Sequence, residues 1–201
     1  MRLNKYEIAL ALGLIMTILL NIVGFAADCY GIRQNVLRLH VIANSDTDED
    51  QELKLKVRDR LLEEGSYYLE SAANEEQAEL IIEPQLDRLC ETAEEEIRKN
   101  GYNYDVQVVL CNEYFETRTY EETTLPAGVY RAVKVIIGEG KGKNWWCVMF
   151  PPMCLPAAEE SAELDAILDD DELEITQSEP EYEFRFKIVE FFESLFNSKK
   201  E

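Results

Sequence analysis

The chain has 201 residues, and its 41 Asp and Glu against 20 Lys and Arg give a net charge of −21. This length fits one domain with attached segments. The acidic excess argues against binding to nucleic acid, whose phosphates require a basic protein face, and against general adhesion to an anionic membrane surface. One histidine excludes a metal site built from several histidines of a single chain. We therefore expect neither a nucleic-acid partner nor a bound metal.

The N-terminal segment, residues 1–27, predicts export. Arg2 and Lys5 precede Ile8–Ala27, which is 20 residues long and carries no charge. That length spans a bilayer as a helix, and the cationic flank places the N-terminus inside and the rest of the chain outside. Two outcomes remain open: a retained membrane anchor, or a signal peptide cut near the small residues of 24–27. In either case residues 28–35 are expected to form a short polar connector.

The next stretch, Val36–Leu62, predicts a strand, a tight polar turn and a helix. Apolar residues alternate through the strand, and Asn44, Ser45 and Asp46 end it, because these residue types favour turns and helix N-caps. The acidic run that follows suits a helix start, and Gly65 marks the expected helix end. Residues 53–58 also alternate with the period of a strand, but the capping residues favour the helix.

The middle of the chain predicts one long helix and then strands. Asn74 and Gln77 form a capping box, Pro84 should kink or split the helix, and Asn100-Gly101 should end it. Four strands are expected after it, two of them in a hairpin that turns at residues 111–113: Tyr104–Leu110, Tyr114–Tyr120, Val129–Ile137 and Trp145–Phe150. The predicted fold for residues 36–156 is α+β, with helices packed on a largely antiparallel sheet.

Residues after 156 differ in composition. Residues 157–181 are rich in Glu, Asp and Ala and predict a mobile acidic linker. Residues 182–201 carry apolar side chains at helical spacing and predict an amphipathic helix. This helix would either dock back on the domain or meet a partner or membrane surface.

Two long motifs carry a family resemblance. RLHVIANSDTDEDQELKLKVRDRLLEEG follows the N-terminal segment, and LPAGVYRAVKVIIGEGKGKNWWCVMFPPMC spans Leu125–Cys154. With the helical stretch between them, they resemble the stage II sporulation protein R family over Val36–Cys154. The resemblance implies a signalling protein that is exported from the forespore into the intermembrane space. There it would activate a membrane-embedded aspartic protease, the sporulation sigma-E factor processing peptidase, so that pro-sigma-E is processed during endospore formation.

The candidate catalytic residues do not form a set. Ser45 with Lys54 would suit a nucleophile pair and His40 a general base, but a capping serine and a structural histidine explain them more simply. The glycine-rich loop before Trp145 does not match a phosphate-binding motif. We therefore expect no enzyme and no cofactor, and an exported serine- or histidine-dependent hydrolase remains the alternative.

Two loops are the predicted partner-binding site. One is Asn44-Ser45-Asp46, and the other contributes Lys141, Lys143, Asn144, Trp145 and Trp146. Loops on a rigid scaffold commonly carry recognition, and tryptophan often dominates interfaces. Because adjacent strand residues point to opposite faces, one tryptophan should enter the core. The other should meet a partner or pack under the C-terminal helix.

The exported location also permits a disulfide. Cys147 and Cys154 flank Pro151-Pro152. A bridge between them would close this short turn in an oxidising compartment. Two separate thiols, with Cys147 as a small buried side chain, are the alternative.

Overall fold

A computed structural model describes residues 4–120, 123–151, 167–168, 170–176 and 186–187 of the chain. Its helices are α1 (Lys5–Gln34), α2 (Asp48–Leu69), α3 (Glu75–Ile82), α4 (Leu86–Lys99) and α5 (Asp170–Thr176), with a 3-10 turn at Glu83–Gln85. Its strands are β1 (Leu37–Ile42), β2 (Val106–Phe115), β3 (Arg118–Tyr120), β4 (Thr123–Leu125), β5 (Gly128–Ile137) and β6 (Asn144–Phe150). The protein is α+β, as the sequence predicts.

The main sheet has the strand order β2-β5-β1-β6. β1 runs parallel to β5, whereas the β2–β5 and β1–β6 pairs are antiparallel. The sheet is therefore largely antiparallel with one parallel pair, and β1 and β5 are its central strands. β3 and β4 form a separate antiparallel pair.

The first hydrophobic core lies between one face of the sheet and helices α2, α3 and α4. β1 contributes its odd-numbered apolar residues, and each helix contributes a stripe at helical spacing. The fully or nearly fully buried members include Leu37, Leu39, Val41, Leu53, Val57, Leu61, Ile82, Leu89, Ile97, Val133 and Val135. This packing fixes the position of α2 against β1 and β6.

A second core covers part of the opposite face. Phe25, Cys29 and Ile32 of α1 are buried there with Tyr130 and Val148 of the sheet. Residues 28–35 are therefore not the expected polar connector, because α1 continues through Gln34. The cause is the spacing of the three buried α1 residues, which places them on one side of the helix and against the sheet.

The strand–turn–helix prediction for Val36–Leu62 is confirmed, and residues 53–58 are helical. Thr47 is the N-cap, and its side-chain oxygen accepts from the backbone N–H of Asp50. The expected helix end at Gly65 is wrong, since α2 continues to Leu69. A Cβ on Gly65 would meet the terminal methyl of Met149 at 2.7 Å. The glycine therefore serves close packing against β6 and not helix termination.

The helical segment after residue 73 follows its local signals. Asn74 accepts from the backbone N–H of Gln77, and Gln77 accepts in return from Ala73. The segment containing Pro84 adopts 3-10 geometry and separates α3 from α4. Asn100 is the C-cap of α4.

The predicted hairpin with a turn at residues 111–113 is wrong. β2 continues through Asn112 and pairs with β5 over ten residues, with Asn112 opposite Arg131. The hairpin partner of Arg118–Tyr120 is instead Thr123–Leu125. Pairing along a long central strand overrides the local turn preference of an Asn-Glu pair.

Only part of the chain after residue 151 is described. Within the predicted acidic linker, Asp170–Thr176 forms helix α5, and Ile175 is buried in the second core. The remaining residues of that stretch lie outside the described residues, apart from 167 and 168. Of the predicted helix at 182–201, only Phe186 and Lys187 are described, and Phe186 is buried against Phe25.

Candidate functional site

The two predicted loops meet at one end of the sheet. The backbone N–H of Lys141 donates to the carbonyl oxygen of Asn44 at 3.1 Å, and that of Gly142 donates to Ala43 at 2.9 Å. This contact follows from the fold, because β1 lies between β5 and β6 in the sheet and the loop that joins β5 to β6 passes over the end of β1. We call residues 44–46 and 141–145 the loop surface.

Asp50 of α2 organises the first loop. Its Oδ2 accepts from Ser45 Oγ at 2.5 Å and from Asn44 Nδ2 at 2.8 Å. Burial alone would raise the pKa of the Asp50 carboxyl, but hydrogen bonds from Ser45, Asn44 and Tyr104 lower it below its usual value. The loop is thus built around an ionised, nearly buried carboxylate. The sequence places Asp50 in the acidic first turn of a helix and gives no sign of this second role.

Helix α2 also binds both loops directly. Gln51 Nε2 donates to the carbonyl oxygen of Ser45 at 2.8 Å. Lys54 Nζ donates to Gln51 Oε1 at 2.7 Å and to the carbonyl oxygen of Lys143 at 3.0 Å. Burial, with repulsion from Lys143 and Arg58, lowers the pKa of Lys54. Lys54 therefore binds the second loop directly and is linked to the first loop through Gln51.

Glycine is required where the loops touch. A Cβ at Gly142 would overlap the backbone carbonyl of Ser45. Gly138 has φ +58°, which is the left-handed region, and a Cβ there would overlap the Asn44 side chain. Asn44 Oδ1 also accepts from the backbone N–H of Glu139 at 3.0 Å. The glycines in the loop between β5 and β6 therefore permit the approach of the first loop.

The charge of the loop surface differs from the prediction at Lys141. Its Nζ lies 2.8 Å from Glu139 Oε2, and both side chains are mostly exposed. This ion pair lowers the pKa of Glu139 and raises that of Lys141. A solvent-exposed pair of this kind contributes little to stability, but it halves the local cationic charge that the sequence suggested.

The two tryptophans lie on opposite faces of β6, as adjacent strand residues must. Trp145 faces α2, where the Arg58 guanidinium lies 4.4 Å from its ring centroid, and 36% of the residue is exposed. Trp146 faces the other way and is partly buried. Its ring stacks on His40 at 3.7 Å and meets the edge of Phe115 at 4.8 Å. Trp145 is therefore the accessible member of the pair.

His40 belongs to a polar cluster under Trp146. Its Nδ1 lies 2.7 Å from Glu113 Oε2, and its Nε2 lies 3.0 Å from Asn144 Oδ1. Lys134 Nζ donates to the other oxygen of Glu113 at 2.7 Å. Burial opposes ionisation of Glu113, but the hydrogen bonds from Lys134 and His40 lower its pKa overall. The cluster fixes the imidazole and joins β1 to β2, β5 and β6.

The residues considered for a hydrolase are not arranged as a catalytic pair. Ser45 Oγ is hydrogen-bonded to Asp50 and Thr47, while Lys54 and His40 are engaged elsewhere. Among the described contacts, none joins Ser45 to either candidate base. The geometry therefore gives the hydrolase alternative no nucleophile with its activating group.

Arg38 is the second residue that sequence reasoning missed. It is fully buried, with the rings of Phe115 and Tyr130 at 4.3 and 4.9 Å from its guanidinium carbon. It donates to the carbonyl oxygen of Cys147 at 3.1 Å and to Tyr120 Oη at 2.6 Å. Burial lowers its pKa. The only signal in the sequence is an arginine at an alternating position of an apolar strand.

The disulfide prediction concerns one described residue. Cys147 is disulfide-bonded and fully buried, whereas Cys90 and Cys111 have free thiols. Cys154 lies outside the described residues, so its pairing with Cys147 stays a prediction.

Helix α1 is long and apolar enough to cross a membrane. It has 30 residues, and its most apolar window has a mean hydropathy of 2.5 with 6% of its residues buried. Length and composition of this kind fit either a membrane anchor or a signal sequence.

Comparisons with known proteins agree with the two sequence motifs. The family model of stage II sporulation protein R matches residues 33–160. Stage II sporulation protein R of Bacillus subtilis (strain 168) is 37% identical over 123 residues, which are 61% of this chain and 55% of the relative. The match therefore spans just over half of the relative's length, and no solved structure gives a significant match. The chain belongs to the stage II sporulation protein R family and has a role in sporulation.

Proposed function

We propose that this protein is an exported signal that activates a membrane-embedded aspartic protease, the sporulation sigma-E factor processing peptidase, which then processes pro-sigma-E. The signal leaves the forespore by means of α1 and acts in the intermembrane space. Family membership and the apolar N-terminal helix support this role. The alternative hydrolase lacks a paired nucleophile among the described residues.

The observation that carries the proposal is the joining of two distant loops into one surface that presents Trp145. Residues near 44 and near 142 are held by backbone hydrogen bonds and by Lys54 of α2. A surface that is ordered before binding loses little conformational entropy when a partner docks. Such a surface suits a recognition protein.

Trp145 and Arg58 are the expected anchors of the interface. Trp and Arg are the residue types most enriched in binding hot spots, and here the guanidinium already lies over the indole. The indole is thereby oriented before the partner arrives. Lys143 contributes a further positive charge close by, which can orient an approaching partner.

A co-expression assay tests the activation step. The full chain, the protease and pro-sigma-E are produced together in a bacterium that lacks the sporulation genes, and conversion of pro-sigma-E is measured by its change in mass. Trp145→Ala should reduce conversion at least tenfold, while Tyr67→Ala, which removes a 76% exposed aromatic residue from α2, should leave it unchanged. Equal conversion by the Trp145 variant and the unmodified chain would refute the assignment of this surface.

The same assay separates activation from hydrolysis. Ser45→Ala removes the hydroxyl that donates to Asp50, so an activator should lose conversion in proportion to its loss of protease binding. A hydrolase would instead lose all conversion while its binding stayed unchanged. Export is tested by a reporter fused to the C-terminus, which should be active only outside the cytoplasm.

A further inference from the structure

The last turns of α1 are part of the folded domain. Phe25, Cys29 and Ile32 are buried at helical spacing against Tyr130, Ala132 and Val148 of the sheet. The Phe25 ring also lies 5.4 Å from that of Phe186. Arg33 continues this contact by donating to the carbonyl oxygen of Ala127 at 3.0 Å.

The preceding part of α1 has the opposite character. Its apolar side chains are exposed on all sides, with Leu10 76% and Val23 64% exposed. Ile8–Gly24 contains no charge, and its roughly 17 helical residues extend for about 25 Å, which is the short end of the range for a helix that spans the hydrocarbon core of a bilayer. A lipid bilayer is the partner that matches this length and this uniformly apolar surface.

The small residues that could form a signal-peptide cleavage site lie where these two parts join. Residues 24–27 are within the continuous helix, and Phe25 is only 6% exposed. Proteolysis favours exposed, irregular segments, and a cut after Ala27 would also remove the Phe25 ring from the second core. We infer that α1 is retained as a membrane anchor and that its last three turns are a structural part of the signalling domain.

This arrangement leaves the loop surface free of the anchor. α1 packs where β5 begins and β2 ends, close to Gly128 and Phe115, whereas the loop surface lies where β1 ends. Six residues of β1 separate the two regions, a distance of about 20 Å at 3.3 Å per residue. The inference rests on the export step of the proposed function. It adds that the exported protein stays bound to the membrane through α1.

Fractionation of the full chain tests retention. The chain is produced in a bacterium, membranes are washed with alkaline carbonate, and the mass of the protein is measured. The expected result is an intact N-terminus in the carbonate-resistant membrane fraction. A soluble exported protein whose measured mass corresponds to an N-terminus between residues 25 and 29 would overturn the inference. An intact, membrane-bound chain that fails to activate the protease would instead refute the proposed function alone.

A pair of substitutions tests the structural part of the inference. In detergent micelles, Phe25→Ala should lower the melting temperature of the domain by about 10 °C, as the loss of a buried aromatic ring does. Val23→Ala removes an exposed apolar side chain two residues earlier and should shift it by less than about 2 °C. Equal melting temperatures for the two variants would show that α1 is not part of the fold. The mass of each variant then shows whether loss of the Phe25 contact leads to cleavage.

Discussion

Replacement of Trp146 by alanine should destabilise the domain more than replacement of Trp145, although the two residues are adjacent. Trp146 stacks face to face on His40 at 3.7 Å and packs against the edge of Phe115 at 4.8 Å. His40 is itself buried and hydrogen-bonded to Glu113. Removing the indole therefore exposes a buried polar cluster and part of the second core.

The magnitude follows from these contacts. Truncating a large aromatic core residue to alanine costs about 3–5 kcal/mol, and the partial burial of Trp146 places it near 3 kcal/mol. For a domain of this size, about 1 kcal/mol corresponds to roughly 4 °C, so Trp146→Ala should lower the melting temperature by about 12 °C. Trp145→Ala removes one cation–π contact with Arg58, which contributes about 0.5–1 kcal/mol at an exposed site, and should lower it by at most about 4 °C.

Thermal denaturation of the full chain in detergent micelles, followed by near-ultraviolet circular dichroism, measures both shifts. The protease co-expression assay then supplies an independent comparison, in which Trp145→Ala should fail while remaining folded. Equal destabilisation by the two substitutions would refute the assignment of Trp145 to the surface. No destabilisation by Trp146→Ala would refute the assignment of Trp146 to the core.

Substitutions at three further positions test the loops and the second face of the sheet. Gly142→Ala should separate the two loops, because its Cβ would overlap the Ser45 carbonyl, and should abolish protease activation in the co-expression assay. The pKa of Asp50 is lowered on folding, so its carboxylate stabilises the domain above the unfolded value of about 3.9. That stabilisation is lost as the pH falls through the pKa of Asp50 in the folded state. Asp50→Asn removes the titrating carboxyl, so the melting temperature should depend less on pH over this acidic range. Arg38→Ala should lower the urea midpoint by removing the guanidinium from its aromatic surroundings, while Arg38→Met, which keeps the apolar stem, should retain most of the stability.

The elements predicted correctly are those whose signals are local. The Asn74 cap, the interruption at Pro84 and the strand before Asn44 each depend on residues within one or two turns of chain. Its cap and its acidic first turn distinguish helix α2 from a strand. In these places local propensity and tertiary packing favour the same structure.

The errors occur where distant residues decide the structure. Asn112 and its neighbours favour a turn, but ten paired residues of β5 hold β2 extended through them. Gly65 is a residue type that is common at helix ends, but here Met149 occupies the space that a side chain would need. The glycine is therefore required for packing, and the helix continues past it. Neither partner can be identified from the sequence around the residue it affects.

The candidate site shows the same division. The sequence identified both loops from their turn residues, glycines and tryptophans, but not that they lie side by side. Their contact depends on the position of β1 between β5 and β6, which brings residue 44 beside the loop that follows β5. Asp50 and Lys54 were likewise missed as loop supports because their role exists only once α2 packs against both loops.

β1 connects α1 to the loop surface, and its register cannot shift without cost. It begins two residues after the C-cap position of α1, ends two residues before Asn44, and is paired on both sides. A shift of one residue would turn Arg38 and His40 toward the helices and move the apolar residues between them to the face that holds the polar cluster and the second core. Packing on both faces therefore fixes this register, and with it the distance of about 20 Å between α1 and the loop surface. The protein thus presents Trp145 at a set distance from the end of α1.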